Sequence, residues 1–116
     1  MPHIHLETTA DLPENADVPD ILEALVAKLS EFETVGSHSV KAYHTLRSNW
    51  AVGTGHTAGF AHCSVSLLFG RPVELRRAIA QGMMAVMQER FAGSLEASEV
   101  TLTLEVREMD HETYQR

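Results

Sequence analysis

Ile4 and Leu6 alternate with His3, His5 and Glu7, the period of two that marks a strand with one buried face. A polar stretch from Thr8 to Asn15, broken by Pro13, follows. Asp17-Val18-Pro19-Asp20 then reads as a helix start. It offers an aspartate for the N-cap, a proline in the first turn and a second aspartate near the positive end of the helix dipole. Ile21, Leu22, Leu25, Val26, Leu29 and Phe32 recur at the spacing of one helical face, and Gly36 closes the segment. The period returns to two at Val40, where Ala42, His44 and Leu46 share its side and Lys41, Tyr43, Thr45 and Arg47 take the other. This second strand fades near Trp50.

The same order then repeats. Gly53-Thr54-Gly55 and Gly59 mark a loose connection. A third strand runs from Phe60 to Phe69, with Ala61, Cys63, Val65, Leu67 and Phe69 opposing His62, Ser64 and Ser66. Gly70-Arg71-Pro72 turns the chain into a second helix whose apolar stripe is Leu75, Ile79, Met83, Val86, Met87 and Phe91. The stripe reads as core. Gly82 interrupts it where glycine costs about 1 kcal/mol against alanine, which points to close packing against a neighbour. Gly93 is placed to cap the helix. Val100, Leu102, Leu104 and Val106 alternate with Thr101, Thr103, Glu105 and Arg107 in a fourth strand, and the polar tail from Asp110 is expected to be loosely held.

The pattern predicts an α+β fold of α/β-like order: two strand-helix-strand units in a single domain, residues 1–116. Right-handed crossovers make each unit a locally parallel strand pair. Both helices are apolar along one stripe only, so they belong together on one face of a four-stranded sheet. The other face carries histidine, serine and threonine. A small sheet with two edges and a bare face needs cover, and a homo-oligomer supplies it.

Composition narrows the partners. A net charge of −7 argues against nucleic acid and against an anionic membrane surface. No apolar run approaches the roughly 20 residues of a membrane span, and no basic-then-apolar leader opens the chain. Cys63 is the only cysteine, which fits a cytoplasmic protein and an inert core thiol. His3 and His5 share a strand face and, with His44 or His62, imitate a metal site. No acidic or cysteine ligand is spaced alongside, so these read as solvated or interface histidines.

Pro2 brings chemistry. Initiator methionine is usually trimmed before proline, which leaves a secondary amine at the chain's start. An α-amine has a reference pKa of roughly 7.7 to 8.0, and a low-dielectric pocket lowers it. Such a group is a general base that needs no side chain. Arg71, at a helix start where its charge is electrostatically unhelpful, is either a surface arginine or a fixed cation for a substrate oxygen.

Met1-Pro2-His3, Glu7, Ala16-Asp17-Val18-Pro19, the His44 to His62 spacing, Gly70-Arg71, Glu74, Arg76 and the Leu102 to Glu105 strand together resemble the tautomerase superfamily. Within it they resemble the 5-carboxymethyl-2-hydroxymuconate isomerases, over nearly the whole chain. The resemblance implies a homotrimer with sites between subunits, no metal or organic cofactor, and a 1,3-proton shift in an unsaturated 2-hydroxydienoate or keto acid. It implies Pro2 as base and Arg71 as the carboxylate-binding cation, with Lys41, Trp50 and His44 as substrate-binding candidates and a small carboxylate as ligand. One departure stands out. The family's arginine near the start of the second strand is matched here by Val40, and Lys41 beside it points to the other sheet face. The named substrate is therefore less secure than the chemistry. A non-catalytic trimer that binds a small acid, and a proline-based hydratase or decarboxylase, are the competing readings.

Overall fold

The computed structural model describes residues 2–55 and 58–116; Met1 lies outside them. Strand β1 (His3–Thr9) leads through a 3-10 turn at Pro13–Asp17 into helix α1 (Val18–Ser30) and then strand β2 (Lys41–Arg47). Strand β3 (Gly59–Leu68), helix α2 (Val73–Arg90), the short helix α3 (Ala92–Glu96) and strand β4 (Val100–Met109) repeat the theme. The sheet order is β2-β1-β3-β4. β1 with β2 and β3 with β4 are parallel, as the two crossovers require, and the halves join by antiparallel pairing of β1 with β3.

Alternation decides which residues make the core. Ile4, Leu6, Ala61, Cys63, Val65 and Leu67 point to one face and are buried there under the helices. α1 contributes Ile21, Leu25 and Leu29, and α2 contributes Ile79, Met83 and Met87, all essentially inaccessible. Each such side chain stabilises the fold by about 1.5–3 kcal/mol relative to an exposed position. The helices meet at Gly82, where an added Cβ would lie 3.1 Å from Lys28 Cε and 3.2 Å from Phe32 Cζ. This is the close approach expected of a mid-helix glycine. Gly70 has φ of 129°, a conformation costly for any residue with a side chain, and it swings the chain from β3 into the Arg71 turn.

Three local expectations are corrected. Asp17 occupies the N-cap of α1 but its side chain makes no capping bond, because the 3-10 turn runs directly into the helix and leaves no break to cap. Gly93 does not end α2. Phe91 does, and Gly93 lies inside α3, where Glu14 accepts hydrogen bonds from the Ser94 amide (3.2 Å) and hydroxyl (2.6 Å). That carboxylate at the positive end of a new helical turn favours its formation. The tail is also not loose. Residues 110–114 form a turn, a His111 ring nitrogen hydrogen-bonds to the Phe69 carbonyl oxygen at 2.6 Å, and the Tyr114 hydroxyl meets His3 Nε2 at 2.7 Å.

Candidate active site at the start of β1

Pro2 is buried, and its carbonyl accepts a hydrogen bond from the Lys41 amide at 3.0 Å. His3 pairs with Lys41 on β2 and with Ser66 on β3. One residue earlier, the same registers set Pro2 beside Val40 on one side and Leu67 on the other, at a strand spacing of about 4.8 Å. All three face the helices. Leu67 is buried and Val40 packs against the core, so the pyrrolidine ring occupies an aliphatic slot.

Arg71 approaches the same end of the sheet. Its Nε donates to Thr34 Oγ1 (2.8 Å), one terminal nitrogen to the Thr34 carbonyl (2.9 Å) and the other to the Leu68 carbonyl (3.2 Å). The direction of that last carbonyl locates the guanidinium. The Phe69 amide bonds to Met109 on β4. The trans peptide aims the Leu68 oxygen the opposite way, toward β1. By the register of His3 opposite Ser66, Pro2 comes level with Leu67, one residue along β3 from that oxygen. Arg71 is thus held at the same end of the sheet as Pro2.

Among the described residues its charge is unpaired although the side chain is half-buried. Arg47 pairs with Glu7, Arg76 with Glu108 and Arg107 with Glu105, whereas Arg71 is half-buried and has no carboxylate partner among the described residues. Neutral oxygens hold the fork in place and leave its positive charge uncompensated. A fixed guanidinium of this kind receives a carboxylate or a developing oxyanion.

The remaining candidates are elsewhere in the subunit. Lys41 projects from the opposite sheet face, next to His3. Burial, reinforced by the Lys41 charge, holds the His3 imidazole below its ordinary pKa. His44 lies on the helix face, about 13 Å along β2 from the Pro2 level. Thr8 donates its one hydroxyl proton to Asn15 Oδ1 (2.5 Å), so the 2.7 Å contact with His44 Nε2 makes the imidazole the donor. Asn15 in turn donates to the Thr9 carbonyl. Burial, with His5 adding a smaller like-charge effect, lowers the His44 pKa. Trp50 lies beyond Arg47, which is itself about 23 Å from the Pro2 level. Trp50 therefore cannot line the Pro2 of its own chain. Because His44 faces the helices, it cannot join His3 and His5 around a metal, and no three metal-ligating side chains converge among the described residues. Burial pushes the Cys63 thiol up to about 12, which removes it as a nucleophile.

Pattern reading missed two contributors. Thr34, in the connection after α1, anchors Arg71, and Tyr114 reaches His3 from the tail. Neither carries a sequence signal, since each contact joins residues with no periodic relation. A surface cleft of about 560 Å³ is lined by Phe69, Glu108, Met109 and residues 110–112 of the tail turn.

A mixed sheet of two parallel strand-helix-strand units under one helical layer is the tautomerase fold, and solved structures share it. A 5-carboxymethyl-2-hydroxymuconate isomerase from Deinococcus radiodurans R1 superposes with a TM-score of 0.92 at 23% identity, covering 99% of this chain and 87% of that one. A 5-carboxymethyl-2-hydroxymuconate delta-isomerase gives 0.87 at 16%, covering 100% and 87%. A fused 4-OT symmetric trimer gives 0.71 at 19%, covering 93% and 85%. No curated protein sequence matches the chain. Residues 2–116 match the profile of the 5-carboxymethyl-2-hydroxymuconate isomerases, and the chain belongs to that family.

Proposed function

We propose that this chain is a cofactor-independent isomerase that moves a proton along an unsaturated 2-hydroxydienoate or keto acid. The base is the Pro2 nitrogen, freed by removal of Met1, and the assembly is a homotrimer. The observation that carries this reading is the uncompensated Arg71 guanidinium, held on the Leu68 carbonyl one register step from the level of the buried Pro2. Membership of an isomerase family supports it, as does the trimeric form of a structural neighbour.

The chemistry follows from the surroundings. Val40 and Leu67 exclude water from the ring, and Arg71 adds positive charge nearby. Both disfavour the ammonium form and lower the amine's pKa. The neutral amine removes a proton from the 2-hydroxyl or an allylic carbon of the bound acid, and charge spreads over the conjugated system onto an oxygen near Arg71. The prolyl ammonium then returns the proton further along the chain. The amine ends as it began.

The test pairs intact mass with kinetics on phenylenolpyruvate. Loss of one methionine is expected, with kcat/KM rising with pH through one limb below about 7.7, the lower reference value for an α-amine. Arg71→Ala should lower kcat/KM by about 2–4 kcal/mol, the scale of losing one oxyanion donor, and Arg71→Lys should recover part of it. A limb that disappears in His3→Asn, together with full activity of a Met1-retaining form, would assign the base to His3 and defeat the reading.

A further inference from the structure

The two flanks of Pro2 differ in kind, and that difference bears on substrate choice. The β3 flank holds Arg71 with its charge unmet. The β2 flank holds Val40, aliphatic and packed on the core. The cation nearest Val40 in the chain, Lys41, stands on the opposite sheet face opposite His3. Arg76, a half-buried arginine in the first turn of α2, donates Nε to the Arg71 carbonyl and pairs with Glu108 at 3.4 Å, so its charge is already matched. Within one subunit the site therefore carries one free positive charge at one end and a hydrocarbon wall at the other.

Resting on the Pro2 reading above, we propose that the substrate is a monocarboxylate: a linear, conjugated 2-hydroxy or 2-oxo acid with an uncharged, apolar far end. Its carboxylate sits on Arg71, its conjugated carbons cross the Pro2 nitrogen, and its far end lies against Val40. A second carboxylate on the Val40 side would shed water and find no partner in its own subunit, and an unpaired buried charge is strongly disfavoured. An apolar end at the same place gains by leaving water.

Sorbate and trans,trans-muconate isolate this feature, because they share one dienoate skeleton that ends in a methyl group or in a second carboxylate. Neither requires proton transfer to bind. In calorimetric titration of the whole protein, sorbate is expected to bind at least about tenfold more tightly than muconate, a difference well within calorimetric resolution. Arg71→Ala should weaken sorbate by at least about tenfold, and Val40→Arg should shift the preference by a similar factor toward muconate. If Val40→Arg fails to fold, the wild-type comparison still decides. Muconate binding as tightly as sorbate, or no sorbate binding at millimolar concentration, overturns the proposal. A firm sorbate preference in a protein whose turnover ignores Pro2→Ala would remove the prolyl base and leave the specificity standing, so the two readings fail separately.

Discussion

Among the charged residues, Glu7 shows how the sheet's open face is held together. Arg47 donates from Nε (2.9 Å) and a terminal nitrogen (2.5 Å) to the same Glu7 carboxylate oxygen, and these bonds hold the carboxyl below its ordinary value of 4.5. The unfolded chain therefore binds this proton more tightly than the folded one. The pair's contribution is complete above that ordinary value and disappears as pH falls through the lower folded value. Glu7→Gln keeps the shape without the charge. Its unfolding free energy, followed by urea titration between neutral pH and pH ~3, should decline less steeply with acid than that of the wild type, and parallel curves would show that the pair contributes nothing. At this scale the sequence was only half readable. Alternation put His44 on the same side as Val40, Ala42 and Leu46, which is where it stands. Its duty as a donor to Thr8 was hidden, because that bond needs Asn15 from a separate turn to take the Thr8 proton.

The elements were the most legible part of the chain. Periods of two and of 3.6 marked all four strands and both long helices, since each buries one face and the burial is written in the spacing. What periodicity does not encode is adjacency between units, so the antiparallel pairing of β1 with β3 is not legible in the pattern. The tail's order is invisible to periodicity for a related reason: its anchor, Tyr114 on His3, joins residues 111 positions apart by a single polar contact. Gly82 supplies a test at the level of the helix pair. Gly82→Ala gains about 1 kcal/mol of helix propensity and presses only on the movable ends of Lys28 and Phe32, so its stability should stay near that of the wild type. Gly82→Leu must part α1 from α2 and should lose about 1–3 kcal/mol in chemical denaturation. A neutral leucine variant would mean that the helix contact is far more plastic than a packed core allows.

At the scale of the whole molecule, the sheet face away from the helices dictates assembly. It carries His3, His5 and His62 among Glu7, Arg47, Glu105 and Arg107, with half-buried imidazoles hydrogen-bonded to Thr45 and Thr103. Tyr43 stacks on His5 with ring centroids 4.9 Å apart, yet remains 47% exposed, so aromatic surface is still available for burial between copies. Sedimentation should therefore find a homotrimer at micromolar concentration, and a stable monomer there would refute it. The sheet order has a further consequence, for synthesis of the chain. β1 is the first of the four strands to leave the ribosome, yet it lies between two strands made later. Ile4 meets its β3 neighbour Val65 only after some sixty more residues have been added, roughly 3–12 s at ordinary translation rates. Until β2 is made both edges of this apolar strand are open, and the edge that β3 will cover stays open throughout the interval, the kind of segment that chaperones hold and that aggregates when they are scarce. Yield in a producing cell should thus depend more on translation speed and chaperone supply than on the stability of the finished fold.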